Sequence, residues 1–177
     1  PTYSGGRDWP MGAYNPKLNV MFMPLYNACI DSTPRTDREA KPEFIYNTTN
    51  VARFPEGKDK VGRIDAISAE TGRTVWSWET RVANYAPLLA TGSGLLFNGS
   101  ADRYLRALDA DNGKVVWQTR LHGRVSGGAI TYSVGGRQYI AIAAGGGPVV
   151  IGAPLQLTPE ADAVNEGNVM YVFALPQ

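Results

Sequence analysis

With 177 residues, 44% of them hydrophobic, the chain has material for a core of ordinary domain size. A formal net charge of +1 removes the electrostatic case for a nucleic-acid partner. Cys29 is the sole cysteine, which excludes an internal disulfide and a cysteine-held zinc or iron–sulfur centre, and no run approaches the roughly 18 apolar residues of a membrane span.

The chain opens on Pro1-Thr-Tyr-Ser-Gly-Gly6, with neither an initiator Met nor a charged leader, and reads as the interior of a longer protein. Residues 12–15 and 19–24 flank Pro16-Lys17-Leu18 as the two arms of a hairpin. Residues 26–60 carry no pattern. Residues 61–67 and 73–79 then flank an acidic turn closed by Gly72, which is a second hairpin. Residues 86–91 and 95–99 flank Gly92-Ser-Gly94, and 103–108 and 114–120 repeat the acidic-turn hairpin: Ala66, Gly72 and Trp76 recur as Ala107, Gly113 and Trp117, all 41 residues on. Residues 128–133 and 137–144 flank Gly135-Gly136, residues 145–168 are again unpatterned, and 170–175 align with 103–108 at an offset of 67.

A hairpin repeated at this spacing predicts propeller blades. Lettering strands A to D from the central channel to the rim places 61–67 and 103–108 as C strands and 73–79 and 114–120 as D strands. The fold class is all-β, a propeller fragment with blades at about 9–80, 84–120 and 125–177, the last lacking its outer strand. That unpaired edge calls for a strand from elsewhere. Both unpatterned stretches fall between a B and a C strand, which puts them at the same mouth as Gly5-Gly-Arg-Asp-Trp9, where binding usually resides.

Most chemistry-bearing residues read as structural. His122, the sole histidine, leaves two-histidine metal sites without a partner and follows a D strand as a hydrogen-bonded group. Cys29 reads as a buried thiol. Gly145-Gly-Gly147 lacks the Lys and helix of a phosphate loop, and Asn47-Thr-Thr49 and Asn98-Gly-Ser100 match the glycosylation sequon by spacing alone. Asp109 and Asp111 satisfy their own turn. Trp76 and Trp117 are expected to pack between blades, with the indole N–H on a backbone carbonyl. Trp9 has two readings, a blade-packing ring or, with Arg7 and Asp8, a platform for a planar charged cofactor. The offset that aligns Phe22 with Phe97 places Asn84 at the position of Trp9.

Gly5-Gly-Arg-Asp-Trp9 with Ala13-Tyr-Asn-Pro16, the two Ala-x-x-x-x-x-Gly-x-x-x-Trp motifs and Gly136-Arg-Gln-Tyr-Ile-Ala-Ile142 together resemble the C-terminal part of the pyrroloquinoline quinone (PQQ)-dependent alcohol dehydrogenases, the methanol and ethanol dehydrogenase group. The resemblance implies the last three four-stranded blades of an eight-bladed periplasmic propeller that holds PQQ with Ca²⁺ or a lanthanide. It implies oxidation of alcohols, or related alcohols and aldehydes, by hydride transfer to PQQ, with electrons passing to a cytochrome c. Asp8 stands where the family's Gly-Gly-Lys-Asn-Trp segment touches PQQ through Asn, and Trp9 is its neighbour. An Asp there faces an anionic quinone and calls for compensation by Arg7 or an upstream cation. Asn84-Tyr-Ala-Pro87 replaces a PQQ-contacting Trp followed by Gly-Gly, so Asn84 or Tyr85 takes that role. The catalytic Asp, the metal ligands, the vicinal disulfide and the Trp stacked under PQQ belong to earlier blades, which leaves no catalytic residue and no metal ligand in this chain. The missing strand is then expected from the N-terminal portion of the same protein. The alternative is a non-catalytic propeller scaffold, similar to the outer-membrane assembly lipoproteins that share the Trp repeat.

Overall fold

The computed structural model describes residues 2, 5–35, 48–145, 152–161 and 167–174. Three antiparallel sheets follow one another along the chain. The first is ordered β1 (Ala13–Asn15), β2 (Val20–Tyr26), β5 (Gly62–Ser68), β6 (Thr74–Thr80), with the ribbon β3 (Cys29–Pro34) and β4 (Thr48–Arg53) inserted between β2 and β5. The second runs β7 (Leu89–Ala90), β8 (Leu95–Gly99), β9 (Tyr104–Asp109), β10 (Val115–Arg120). The third has β11 (Ile130–Val134), β12 (Arg137–Ala144) and β13 (Val169–Ala174); helix α1 (Gly152–Leu157) and a 3₁₀ turn (Pro159–Ala161) lie between β12 and β13.

Side chains alternate across a strand, so a sheet apolar on both faces is sandwiched between neighbours. The second sheet is of this kind. Leu96 and Leu108 meet Val20, Phe22, Ile64 and Ala66 of the first sheet, while Phe97, Leu105 and Ala107 meet Ile140, Ile142 and Ala144 of the third. Each large apolar side chain buried this way contributes about 1.5–3 kcal/mol. The outcome is three consecutive blades of a β-propeller, stacked face to face.

Trp76 fastens the first blade to the second. Its indole Nε1–H donates to the Ala110 carbonyl at 3.0 Å, and its ring lies 5.6 Å from that of Phe22. The same ring covers Gly113, where an added Cβ would come within 2.7 Å of it. Gly113 also turns at φ +74, so the position demands glycine twice over. Gly72 holds the equivalent turn at φ +68, but an added Cβ there would meet no atom within 4 Å. Gly113→Ala is therefore expected to cost about 2–3 kcal/mol and Gly72→Ala about 1, from backbone strain alone. Denaturant midpoints of the two variants check the difference. Trp117 makes the equivalent contact on one side only: it is 41% exposed and meets Phe173 of the third blade edge-on at 5.5 Å. An apolar crevice of roughly 340 Å³ lined by Phe97, Leu105, Val116, Trp117, Ile140 and Phe173 remains between these two blades.

Several sequence expectations are corrected. Residues 26–60 are not featureless: Tyr26 closes β2, and β3 and β4 form a two-stranded ribbon. Its faces are polar, so no apolar alternation announced it. Residues 145–168 contain α1, too short to display a helical period. Cys29 begins the ribbon and is half-buried rather than buried, because it opens a two-stranded element most of whose residues face solvent. The innermost strand of the second blade spans two residues rather than 86–91; Pro87 lacks an N–H, and the Leu88 N–H is drawn instead to the Met11 carbonyl of the first blade at 2.9 Å. The third sheet has three strands among the described residues. Leu175, Gly146, Gly147 and Asn47 lie outside the described residues.

Candidate functional site

One end of the three blades is closed by backbone hydrogen bonds. Each segment leading into an innermost strand bonds a connection between a second and a third strand. The Tyr26 N–H donates to the Gly6 carbonyl at 2.9 Å, Val61 to Arg81 at 3.3 Å, Ala101 to Ala83 at 3.4 Å, Val125 to Ser100 at 3.3 Å and Gly145 to Arg124 at 3.0 Å. Residues 5–9, 81–85 and 124–125 are thereby brought to a common mouth, together with the roots of both insertions.

An aromatic step crosses this mouth. Tyr26 and Tyr85 are buried and stacked, with ring centroids 5.3 Å apart and planes within 15°. Trp9 leans on Tyr85 at 6.4 Å and 50°, and 53% of it remains open to solvent. Trp9 thus touches the next blade along one side and offers the rest of its surface outward. It sits four residues ahead of β1, on the segment that Gly6 anchors. Arg7 and Asp8 are exposed beside it, and the Arg7 Nε–H donates to the Pro10 carbonyl at 3.3 Å.

Asn84, the neighbour of Tyr85, is completely buried, yet neither its Oδ1 nor its Nδ2 has a hydrogen-bond partner among the described residues. A buried amide left in that state costs about 1–3 kcal/mol and calls for an explanation. Asn98 on β8 is a second such amide, two residues along the strand from Leu96 and so on the face turned to the first blade. In the folded chain the sequon Asn98-Gly-Ser100 therefore presents no exposed acceptor amide.

Two polar groupings are absent from the sequence reading. Arg106, nearly buried, donates to Ser100 Oγ at 2.9 Å, pairs with Asp102, and lies over the rings of Tyr104 at 4.7 Å and Trp78 at 5.6 Å, the latter from the first blade. A single signal existed: Arg106 occupies the repeat position of Asp65, which is itself buried and held by Arg63 at 2.6 Å and Ser77 at 2.7 Å. The other grouping centres on Arg81, whose partners are 22 to 79 residues away. Asp109 accepts from the Asp111 N–H at 2.9 Å and from Asn112 at 2.8 Å, as a turn residue does. His122 is exposed just past β10, and its backbone N–H donates to the Tyr171 hydroxyl at 2.9 Å. Among the described residues, no three His, Cys, Asp or Glu gather as a metal site.

Residues 79–140 match the family described as PQQ: Glucose/ethanol/alcohol dehydrogenase, beta-propeller domain. The whole chain aligns with 28% of a 1-butanol dehydrogenase (quinone) of Thauera butanivorans at 30% identity. Four fifths of it (80%) aligns with 24% of the methanol dehydrogenase [cytochrome c] subunit 1 of Methylobacterium organophilum at 32% identity. In fold, 99% of the chain superposes on 34% of a europium-containing methanol dehydrogenase, with a TM-score of 0.82 and 24% identity. The chain spans about a quarter to a third of the length of these relatives. Residue pattern, blade stacking and similarity along the whole sequence agree: the chain is a segment of a β-propeller that is similar from end to end to quinoprotein alcohol dehydrogenases.

Proposed function

We propose that this chain forms one flank of a PQQ site in a periplasmic dehydrogenase that oxidises alcohols, or related alcohols and aldehydes, and passes electrons to a cytochrome c. The observation that carries the reading is the buried, unpartnered amide of Asn84 at the mouth. That amide and the half-open ring of Trp9 fit a planar polar cofactor, one by hydrogen bonding and the other by contact with a flat face. PQQ would supply the acceptor for the hydride leaving the alcohol carbon. The chain's own residues hold and orient: Asn84 offers a donor and an acceptor, Trp9 bounds one side, and Asp8 reaches the edge with Arg7 beside it to balance its charge. Ca²⁺ or a lanthanide would take its ligands from residues outside this chain.

The same reading makes the three sheets part of a single propeller domain, with blades at about 9–80, 84–120 and 125–177, completed by another portion of the same protein. Gly72 supports it, since its turn repeats that of Gly113 and has room for a tryptophan from a preceding blade. Ile130, Val134, Met170 and Val172 of the third sheet are each more than half exposed, an apolar face that a further blade would cover.

Titration of PQQ into the intact protein, followed by tryptophan fluorescence, tests the site. Asn84→Leu keeps the volume and removes the unpartnered amide, so the cofactor-free protein is expected to gain stability while quinone affinity falls tenfold or more, about 1.4 kcal/mol. Unaltered affinity in the variant, or no quinone bound at micromolar concentration, would sink the proposal and leave the scaffold reading.

A further inference from the structure

The two insertions arise from the first and the third blade, with a whole blade between them, yet they meet. Helix α1 lies against β4, and the Ala52 N–H on the ribbon donates to Gln156 Oε1 at 3.2 Å. Beneath them Phe54, Leu155 and Leu157 pack on Tyr26, Val61, Val82 and Tyr85, the residues that floor the mouth.

Arg81 joins both insertions through one planar group. Its Nη1 donates to the Asp59 carbonyl at 2.7 Å, its Nη2 to the Leu157 carbonyl at 3.1 Å and its Nε to Glu160 Oε1 at 3.1 Å, while the guanidinium lies 4.7 Å from the Phe54 ring centroid. Every nitrogen of the fork is used, on segments of the first and the third blade. The Leu157 carbonyl closes α1 and has no partner within the helix. Glu160 is half exposed, so that ion pair alone contributes little. The fixed fork is what matters, and a lysine, a point charge on a flexible stem, cannot reproduce it. Neither a two-stranded ribbon nor a six-residue helix is stable alone, so both depend on outside contacts to stay in place. Arg81 itself is rooted at the mouth: its carbonyl accepts the Val61 N–H, and Asn84 lies three residues on.

We infer that Arg81 is a positioning residue that clasps the described parts of the two insertions, residues 48–60 and 152–161, into a single cover over the mouth, and that this cover governs entry to and release from the site. The second half of the statement rests on the quinone reading; the first does not. Hydrogen exchange of the intact protein reads the clasp directly. In Arg81→Met, which keeps the apolar stem over Phe54, amides of β4, α1 and the 3₁₀ turn are expected to exchange at least tenfold faster, while those of β8 and β9 keep their rates. Arg81→Lys should behave like the methionine variant, and Glu160→Gln should stay within about twofold of the parent protein. PQQ bound to Arg81→Met should dissociate several-fold faster, and KM for the alcohol should move while kcat holds. Unchanged exchange in the insertions, equal acceleration in β8 and β9, or full rescue by lysine would each overturn the clasp. Accelerated exchange with an unaltered quinone release rate would overturn the gating role. Because exchange is measured without any ligand, the clasp stands or falls independently of whether quinone binds.

Discussion

Trp76→Ala is expected to lower the stability of the assembled protein by about 3–5 kcal/mol, the range for truncating a large ring in a packed site. The ring spans two blades, between Phe22 and Gly113, and its N–H satisfies the Ala110 carbonyl. Trp117→Ala should cost about half as much, because that ring is 41% exposed and the crevice beside it is unfilled. Trp76→Phe separates the two contributions: it keeps most of the packing and loses only the hydrogen bond, for about 1–2 kcal/mol. Urea unfolding with an unchanged slope reports all three. Equal and small losses at both tryptophans would mean that the blades are not held by ring docking.

Gly62→Ala is expected to be as damaging from the opposite cause, overfilling. A Cβ at the start of β5 would come within 2.0 Å of the Val82 carbonyl oxygen and 2.4 Å of Thr80 Cγ2. The first of these is backbone, which cannot swing aside as a side chain can. Residues 80–82 must therefore move, at about 3 kcal/mol or somewhat more. The displaced segment runs directly into Asn84 and Tyr85, so a weaker aromatic step at the mouth should accompany the loss. Denaturant unfolding together with Tyr85 amide exchange checks both effects. A variant of parental stability and unaltered exchange at Tyr85 would show that β5 does not brace the mouth.

The blades were legible because their strands alternate and their turns carry glycine at repeated positions. β8 and β12 fall at the expected bounds, 95–99 and 137–144, since each follows a glycine turn and is paired on both sides within its own sheet. The ribbon β3–β4 was not legible: polar on both faces, it is held by cross-strand pairs such as Asp31–Arg53 at 3.0 Å and by α1, which lies about 100 residues further along the chain. The short β7 escaped for a similar reason, its lost pairing being replaced by the bond to Met11.

At the site, residue type pointed to Trp9, Asp8 and Asn84 as candidates, because a tryptophan behind two glycines and a repeat position that changes residue can both be read along the chain. That Trp9 leans on Tyr85, and that the Asn84 amide is buried without a partner, depends on which blade lies against which. By itself the sequence determined the class of fold, the order of the strands and the docking role of the tryptophans, all of which follow from local alternation, turn chemistry and a repeat. Tertiary structure alone decided the orphaned amides, the buried Arg106 and the clasp at Arg81. Burial and hydrogen-bond partnership are properties of neighbours, and Arg81 finds Leu157 and Glu160 only after a second blade has been laid between the strands that carry the insertions.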